Sequence, residues 1–181
     1  MKLHPDMTIL EKIALFMANR EIDFSAFAKG QTPYDLGITC YDSRILKPNE
    51  LNGILWSTNA GGVIYTETQA SVLIALKEMK SLRRVSYFTH TGCLVIQKAM
   101  SDEEFEGPEA AVINYLRSML DMRSEENAMM SLLHNSVATL VNLRREAKRF
   151  DVEIYGYVYH TDTAKIDQIS YFPPVASLIR N

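Results

Sequence analysis

The chain has 181 residues, of which 47% are apolar, so its length and composition suit one domain with a sizeable core and do not suggest a membrane protein. The formal net charge of -3 comes from mixed signs along the whole length, which excludes the basic surface typical of a nucleic-acid partner. The N-terminal segment MKLHPDMTIL lacks the features of a signal peptide, and the longest apolar stretches fall short of the roughly 20 residues of a spanning helix. We therefore expect a single domain over residues 1–181 in the cytoplasm, with neither a membrane nor a nucleic-acid partner.

The first predicted element is an amphipathic helix over residues 6–20, within an N-terminal helical arm over residues 1–30. Its apolar residues recur at helical spacing: Ile9, Leu10, Ile13, Ala14, Phe16 and Met17. The short apolar segment YDLGIT then predicts a buried strand that ends at Cys40. The segment PNELNG predicts a turn or a single helical turn, and ILWST predicts a second strand that ends at NAGG.

The central part of the chain alternates a strand with a helix. A helix is predicted over residues 66–80, whose apolar residues follow a helical period: Ala70, Val72, Leu73, Ala75, Leu76 and Met79. The segment VSYFT predicts a third buried strand that stops at His90. Alternation of this kind predicts an α/β fold, with a mainly parallel β-sheet flanked by α-helices.

The C-terminal half predicts two helices and a closing pair of strands. One helix starts near Pro108, a residue that suits the first turn, and a longer one covers residues 125–149. The longer helix ends in cations that complement its dipole, and we interpret this cluster as a solvated helix end: Arg144, Arg145, Lys148 and Arg149. The segment VEIYGYVYHTDTAKIDQISYF alternates like two strands and predicts a C-terminal hairpin or edge extension of the sheet.

Both cysteines and one histidine meet at the same predicted edge of this sheet. Cys40 ends the first strand, and His90 and Cys93 follow the third, so parallel strands bring them to the carboxyl edge where ligands gather. A buried cysteine is most often core packing, but intracellular cysteines are also typical metal ligands. Cys and His side chains suit zinc, and three of them leave a fourth position open for water, whose pKa zinc lowers to about 7.

An acidic and a basic residue follow the first cysteine at alternate positions. If the chain stays extended through CYDSR, the side chains of Cys40, Asp42 and Arg44 point to one side. Asp42 beside Arg44 would stay ionised, and it could accept a hydrogen bond from a zinc-bound hydroxide or enter as the fourth ligand. The simpler interpretation of these two residues is a solvated ion pair of small energetic weight.

The motifs CYDSR and HTGC, about fifty residues apart, together resemble the two-part zinc motif of the β-class carbonic anhydrases, Cys-x-Asp-x-Arg and His-x-x-Cys. The segment STNAGGVI resembles the strand and loop between the two motifs of that family, and EIYGYVYHTDTAKI resembles its closing hairpin. The resemblance covers roughly residues 34–170, and the short length is like that of small archaeal and bacterial members.

The resemblance implies that Cys40, His90 and Cys93 bind Zn²⁺ and that Asp42 and Arg44 act as a catalytic dyad. The implied reaction is the reversible hydration of carbon dioxide to bicarbonate and a proton by zinc-bound hydroxide. The implied fold is a mainly parallel sheet flanked by helices. The implied assembly is a homodimer or a larger homo-oligomer, with an N-terminal helix packed across a partner subunit.

Two positions depart from the family pattern and keep other functions open. Leu94 stands directly after the second cysteine, where the family often has Gly, and Thr58 stands before NAG, where a basic residue is common. An apolar pocket wall would suit carbonyl sulfide or carbon disulfide, which relatives with the same fold hydrolyse. A catalytically silent zinc-binding homologue is the third interpretation.

Overall fold

A computed structural model describes residues 35–42 and 54–175 of the chain. Its strands are β1 (Asp35–Cys40), β2 (Ile54–Asn59), β3 (Arg84–His90), β4 (Glu153–His160) and β5 (Lys165–Phe172). Its helices are α1 (Thr66–Glu78), α2 (Leu94–Met100), α3 (Gly107–Met119) and α4 (Glu125–Glu146), and a short 3-10 turn covers Ala60–Gly62. The predicted helix over residues 6–20, the N-terminal arm and the PNELNG segment lie outside the described residues.

The five strands form one sheet in the order β2-β1-β3-β4-β5. The first four strands pair in parallel, and β5 returns antiparallel to β4. The register aligns Cys40 with Asn59 and His90 with Tyr159, so the carboxyl ends of all four parallel strands lie at one edge. The predicted α/β fold, with a mainly parallel sheet, flanking helices and a C-terminal hairpin, is confirmed.

Helix α4 forms the centre of the helical layer. Ser124 caps it by accepting a 3.1 Å hydrogen bond from the backbone N–H of Asn127. Its buried residues recur at spacings of three and four and include Met129, Leu132, Leu133 and Val137. It packs closely on β4, because a Cβ at Gly156 would lie only 2.8 Å from Val137.

The opposite face of the sheet carries a row of aromatic side chains. Ring centroids of successive members lie 4.8–5.7 Å apart, in the order Trp56, Phe88, Tyr157, Tyr155 and Tyr171. The indole of Trp56 lies over Gly37, where a Cβ would approach it to 2.6 Å. The two faces therefore differ, with aliphatic packing under helices on one and stacked rings on the other.

The interpretation of the end of α4 as solvated is wrong for two of its four cations. Arg144 and Arg149 are only 6% and 7% exposed. The Arg144 guanidinium donates to the carbonyls of Val152 and Pro173, both at 2.9 Å. Arg149 donates to three carbonyl oxygens at and just after the C-terminal end of α1, and it also forms an ion pair with Asp151. A guanidinium has five donors, so it can satisfy several buried carbonyls at once.

One element was not predicted from the sequence. Helix α2 begins at Leu94, directly after Cys93, and has only seven residues. A segment this short presents less than two turns of periodicity, which is too little to separate a helix from a loop. Within the described part of the chain, the helices are too short or too polar to cross a membrane.

Candidate metal centre

The ends of two strands and the start of one helix bring the predicted metal ligands together. Cys40 is the last residue of β1, His90 is the last of β3, and Cys93 immediately precedes α2. One ligand atom from each lies within 4.8 Å of the ligand atoms of the other two. All three residues are buried, at 3%, 1% and 1% exposure. The group could therefore hold a metal ion.

The imidazole of His90 has one nitrogen occupied and one free. Its Nδ1 lies 3.1 Å from the carbonyl oxygen of Thr91, which can only accept, so Nδ1 carries the proton. Its Nε2 is buried and has no hydrogen-bond partner among the described residues. A neutral imidazole with Nδ1–H bonded to a carbonyl and a bare Nε2 is the form that ligates metals. The donor set of two sulfurs and one nitrogen suits Zn²⁺.

The thiols of Cys40 and Cys93 differ in pKa, because one proton is shared between them. The pKa of Cys40 is lowered to about 4, first because the Cys93 thiol donates a hydrogen bond to its sulfur, with smaller help from the backbone N–H of Asp42, while burial opposes the shift. The pKa of Cys93 is raised, first because its own proton is held by Cys40. The backbone amides of Val95 and Ile96 oppose that rise. A cation would displace the shared proton and favour both thiolates.

A glycine-rich turn passes directly behind Cys40. Gly62 has a φ of +71°, and a Cβ there would lie 3.0 Å from the backbone nitrogen of Cys40. Asn59 fixes the same turn, because its amide donates to the carbonyl of Val63 at 2.6 Å and to the hydroxyl of Thr68 at 3.3 Å. The NAGG segment is therefore a structural support for the end of β1.

A carboxylate that sequence reasoning missed holds the turn between His90 and Cys93. Gly92 has a φ of +66°, and its N–H donates to Oε1 of Glu125 at 2.8 Å. The other oxygen of Glu125 accepts from Gln97 at 3.3 Å. Glu125 is 33 residues from Gly92 and opens a different helix, so no local motif identifies the contact.

The remaining predicted site residues are placed only in part. Arg44 lies outside the described residues. Asp42 contributes its backbone N–H near the sulfur of Cys40, and its carboxylate is not part of the group whose ligand atoms lie within 4.8 Å of one another. Leu94 is 60% exposed at the start of α2, and Thr58 lies on β2 in register with Thr39.

A surface cavity lies elsewhere on the described part of the molecule. It has a volume of about 320 Å³ and lies on the aromatic face of the sheet, where Arg84, Phe88, Tyr157 and Ile166 contribute to its walls. Neither cysteine of the candidate centre lines it. The buried ligand cluster is therefore the candidate site, because, unlike the lining of this cavity, it combines metal-ligating atoms with an unpartnered imidazole nitrogen.

Comparisons with known proteins give matches in structure and none in sequence. No protein-family model and no curated protein sequence matches the chain. Among solved structures, it is similar to a tetrameric β-carbonic anhydrase of the fungus Sordaria macrospora, with a TM-score of 0.67 and 17% identity over 89% of this chain and 92% of that one.

Two further structures extend the likeness. A β-carbonic anhydrase of Coccomyxa, solved with acetazolamide, gives a TM-score of 0.65 at 18% identity over 92% of this chain and 86% of that one. A carbon disulfide hydrolase gives a TM-score of 0.52 at 21% identity over 93% and 92% of the two chains. The protein therefore has the β-carbonic anhydrase fold, as the sequence motifs predicted.

Proposed function

We propose that the protein is a zinc-dependent carbonic anhydrase, which hydrates carbon dioxide reversibly to bicarbonate and a proton. The observation that carries this proposal is the buried cluster of Cys40, His90 and Cys93 with the bare Nε2 of His90. It is supported by the fold, which the chain shares with several β-carbonic anhydrases at 17–19% identity. We place the activity in the cytoplasm, as the sequence leads us to expect.

In this proposal Cys40, His90 and Cys93 would hold Zn²⁺. A zinc ion at this site would act as a Lewis acid and lower the pKa of water to about 7. The burial of all three residues excludes bulk water from the sulfurs and strengthens local electrostatic interactions. Asp42 accepts a hydrogen bond from the reacting water and orients it, and Arg44 keeps that carboxylate ionised. Both of these roles come from the CYDSR motif.

Stopped-flow hydration of carbon dioxide by the zinc-loaded protein at pH 8 to 9 tests this function. We expect a rate well above buffer for the wild type and loss of at least 100-fold for Cys40→Ser, because the ligand set is then incomplete. Tyr41→Ser is the matched control, since Tyr41 is the next residue and is 55% exposed. A wild-type rate equal to buffer, with zinc bound, contradicts the proposal.

A second substrate class has a specific observation in its favour. Leu94 follows Cys93 directly, and the chain is also similar to a carbon disulfide hydrolase. Hydrolysis of carbonyl sulfide or carbon disulfide is therefore the alternative reaction for the same ligand cluster. Sulfide release faster than carbon dioxide hydration would favour it, and zinc binding without either activity would indicate a catalytically silent homologue.

We also propose that the chain works as a homodimer or larger homo-oligomer. The similar enzymes of Sordaria macrospora are described as tetrameric. In this chain the edge strand β5 is exposed along its length and carries several large apolar side chains: Ile166, Ile169, Tyr171 and Phe172. Exposed edge strands of this composition are typical of surfaces that pair with another chain.

A further inference from the structure

The tip of the β4–β5 hairpin contacts the turn that carries the candidate ligands. Thr161 donates from its backbone N–H to Oγ1 of Thr91 and from its own hydroxyl to the Thr91 carbonyl, both at 3.0 Å. The two hydroxyl oxygens lie 3.2 Å apart. The N–H of Thr91 also donates to the carbonyl of Tyr159 at 3.0 Å. The hairpin thus holds the backbone of Thr91 through both its N–H and its carbonyl oxygen.

The same carbonyl of Thr91 accepts the Nδ1–H of His90 at 3.1 Å. A carbonyl oxygen has two lone pairs, so it can accept from the imidazole and from the Thr161 hydroxyl together. The direction of the Nδ1–H bond sets both the tautomer and the ring orientation of a ligating histidine. Thr161, 70 residues away in sequence, is therefore linked through one oxygen atom to the bare Nε2.

The other side of this turn is already fixed, because Glu125 holds the N–H of Gly92. The turn is thereby anchored to α4 on one side and to the hairpin on the other. The direction of the Nδ1–H hydrogen bond of His90 then depends on the orientation of the Thr91 carbonyl.

We propose that Thr161 is a positioning residue for the metal site: by bonding the Thr91 carbonyl, it holds His90 in the Nδ1–H tautomer with Nε2 directed at the ligand cluster. This role rests on the metal site of the proposed function. It assigns to the hairpin tip a part in metal affinity, without any contact between Thr161 and the metal or the substrate.

The experiment compares three variants of the full chain. Thr161→Val removes the hydroxyl at nearly constant volume, and Thr161→Ser restores it. Thr163→Val is the control, because Thr163 is exposed in the same turn and makes no side-chain hydrogen bond with the described residues. Two quantities are measured: the zinc dissociation constant, by competition with a chelator, and the ¹⁵N imidazole spectrum of His90 in the metal-free protein at a pH where the ring is neutral.

We expect Thr161→Val to weaken zinc binding about tenfold or more, which is the usual effect of losing a group that orients a ligand. A second His90 tautomer should appear in its metal-free spectrum, and Thr161→Ser and Thr163→Val should match the wild type in both measurements. If Thr161→Val does not fold, Thr161→Ala takes its place.

Unchanged zinc affinity and an unchanged His90 spectrum in Thr161→Val would overturn the proposal, as would equal losses in the Thr163 control. If the wild type binds no zinc, the proposed function fails. The metal-free spectrum still decides the role of Thr161 in that case, because it requires no bound ion.

Discussion

At the scale of single residues, the candidate metal centre depends on backbone positions as well as on its three ligand side chains. Gly62 adopts a φ of +71°, and a Cβ there would lie 3.0 Å from the nitrogen of Cys40 and 3.2 Å from the carbonyl carbon of Thr39. These are backbone atoms, so they cannot rotate away as a flexible side chain could. The absence of a side chain at Gly62 therefore lets the NAGG turn support the end of β1.

Replacing Gly62 by alanine should destabilise the protein and loosen the metal site. The left-handed backbone costs a non-glycine residue about 1–2 kcal/mol, and the contact with β1 should add about 1–3 kcal/mol. Gly107→Ala is the matched control, because Gly107 has a φ of +63° with nothing within 4 Å of the added Cβ. Urea unfolding of both variants measures the difference, and equal losses of unfolding free energy would contradict the crowding argument.

The ligand residues could be predicted from the sequence, whereas the residues that orient them could not. Cys40 and His90 end strands of a parallel sheet, so the topology alone brings them to one edge. Glu125 and Thr161 reach the same turn from 33 and 70 residues away. Their contacts depend on how a helix and a hairpin pack, and a local sequence pattern carries no information on that packing.

At the scale of elements, the buried cation Arg149 connects the end of α4 to the end of α1. Its guanidinium donates to the carbonyls of Leu76 and Leu82 at 2.7 Å and to that of Met79 at 3.0 Å. Carbonyls at the end of a helix lack partners within the helix. The sequence shows the periodicity of α1 and α4 but not the burial of Arg149, because an arginine at the end of a predicted helix usually remains solvated.

Arg149→Met should lower the free energy of unfolding by about 3–5 kcal/mol, because several buried carbonyls then lose a donor and Asp151 keeps only the longer ion pair with Arg83. Arg145→Met removes an exposed cation from the last turn of α4 and should change stability by less than about 0.5 kcal/mol. Chemical denaturation of the two variants provides the measurement. A loss for Arg149→Met no larger than that of the control would show that water replaces the guanidinium.

The pair of Asp151 with Arg149 also predicts a dependence of stability on pH. Hydrogen bonding from Arg149 is the main reason that the pKa of Asp151 is lowered from its ordinary value of 3.8. A carboxyl whose pKa is lower in the folded state stabilises the protein above its unfolded pKa, and this contribution disappears as the pH falls through the folded pKa. Asp151→Asn should therefore cost stability at pH 7, by at most about 1 kcal/mol for a solvent-screened pair, and progressively less below pH 4.

Urea unfolding of wild type and Asp151→Asn at pH 7 and in a series below pH 4 tests this dependence. Asp162→Asn is the control, because its exposed carboxylate takes part in no ion pair with the described residues. A difference between wild type and Asp151→Asn that grows on acidification would have the wrong sign for the argument.

At the scale of the whole molecule, the sheet separates two different surfaces. The described helices pack on one face, and the other carries the aromatic row that runs from Trp56 to Tyr171. The alternation of helices and strands predicted this sheet, and α2 was missed because its seven residues show too little periodicity. The row ends at β5, where Ile169, Tyr171 and Phe172 are 41%, 43% and 38% exposed. Large apolar side chains together on an edge strand favour association with another chain.

We therefore expect light scattering with size-exclusion chromatography to give a mass that is a multiple of the 20.6 kDa chain. Ile169→Lys should shift the protein to a smaller species, because a charge on the edge strand opposes pairing. Ile74→Lys is the control, since Ile74 is 62% exposed on α1, away from that edge. A wild-type monomer at micromolar concentration would show that the chain does not associate. An unchanged mass for Ile169→Lys beside a reduced mass for Ile74→Lys would place the interface away from β5.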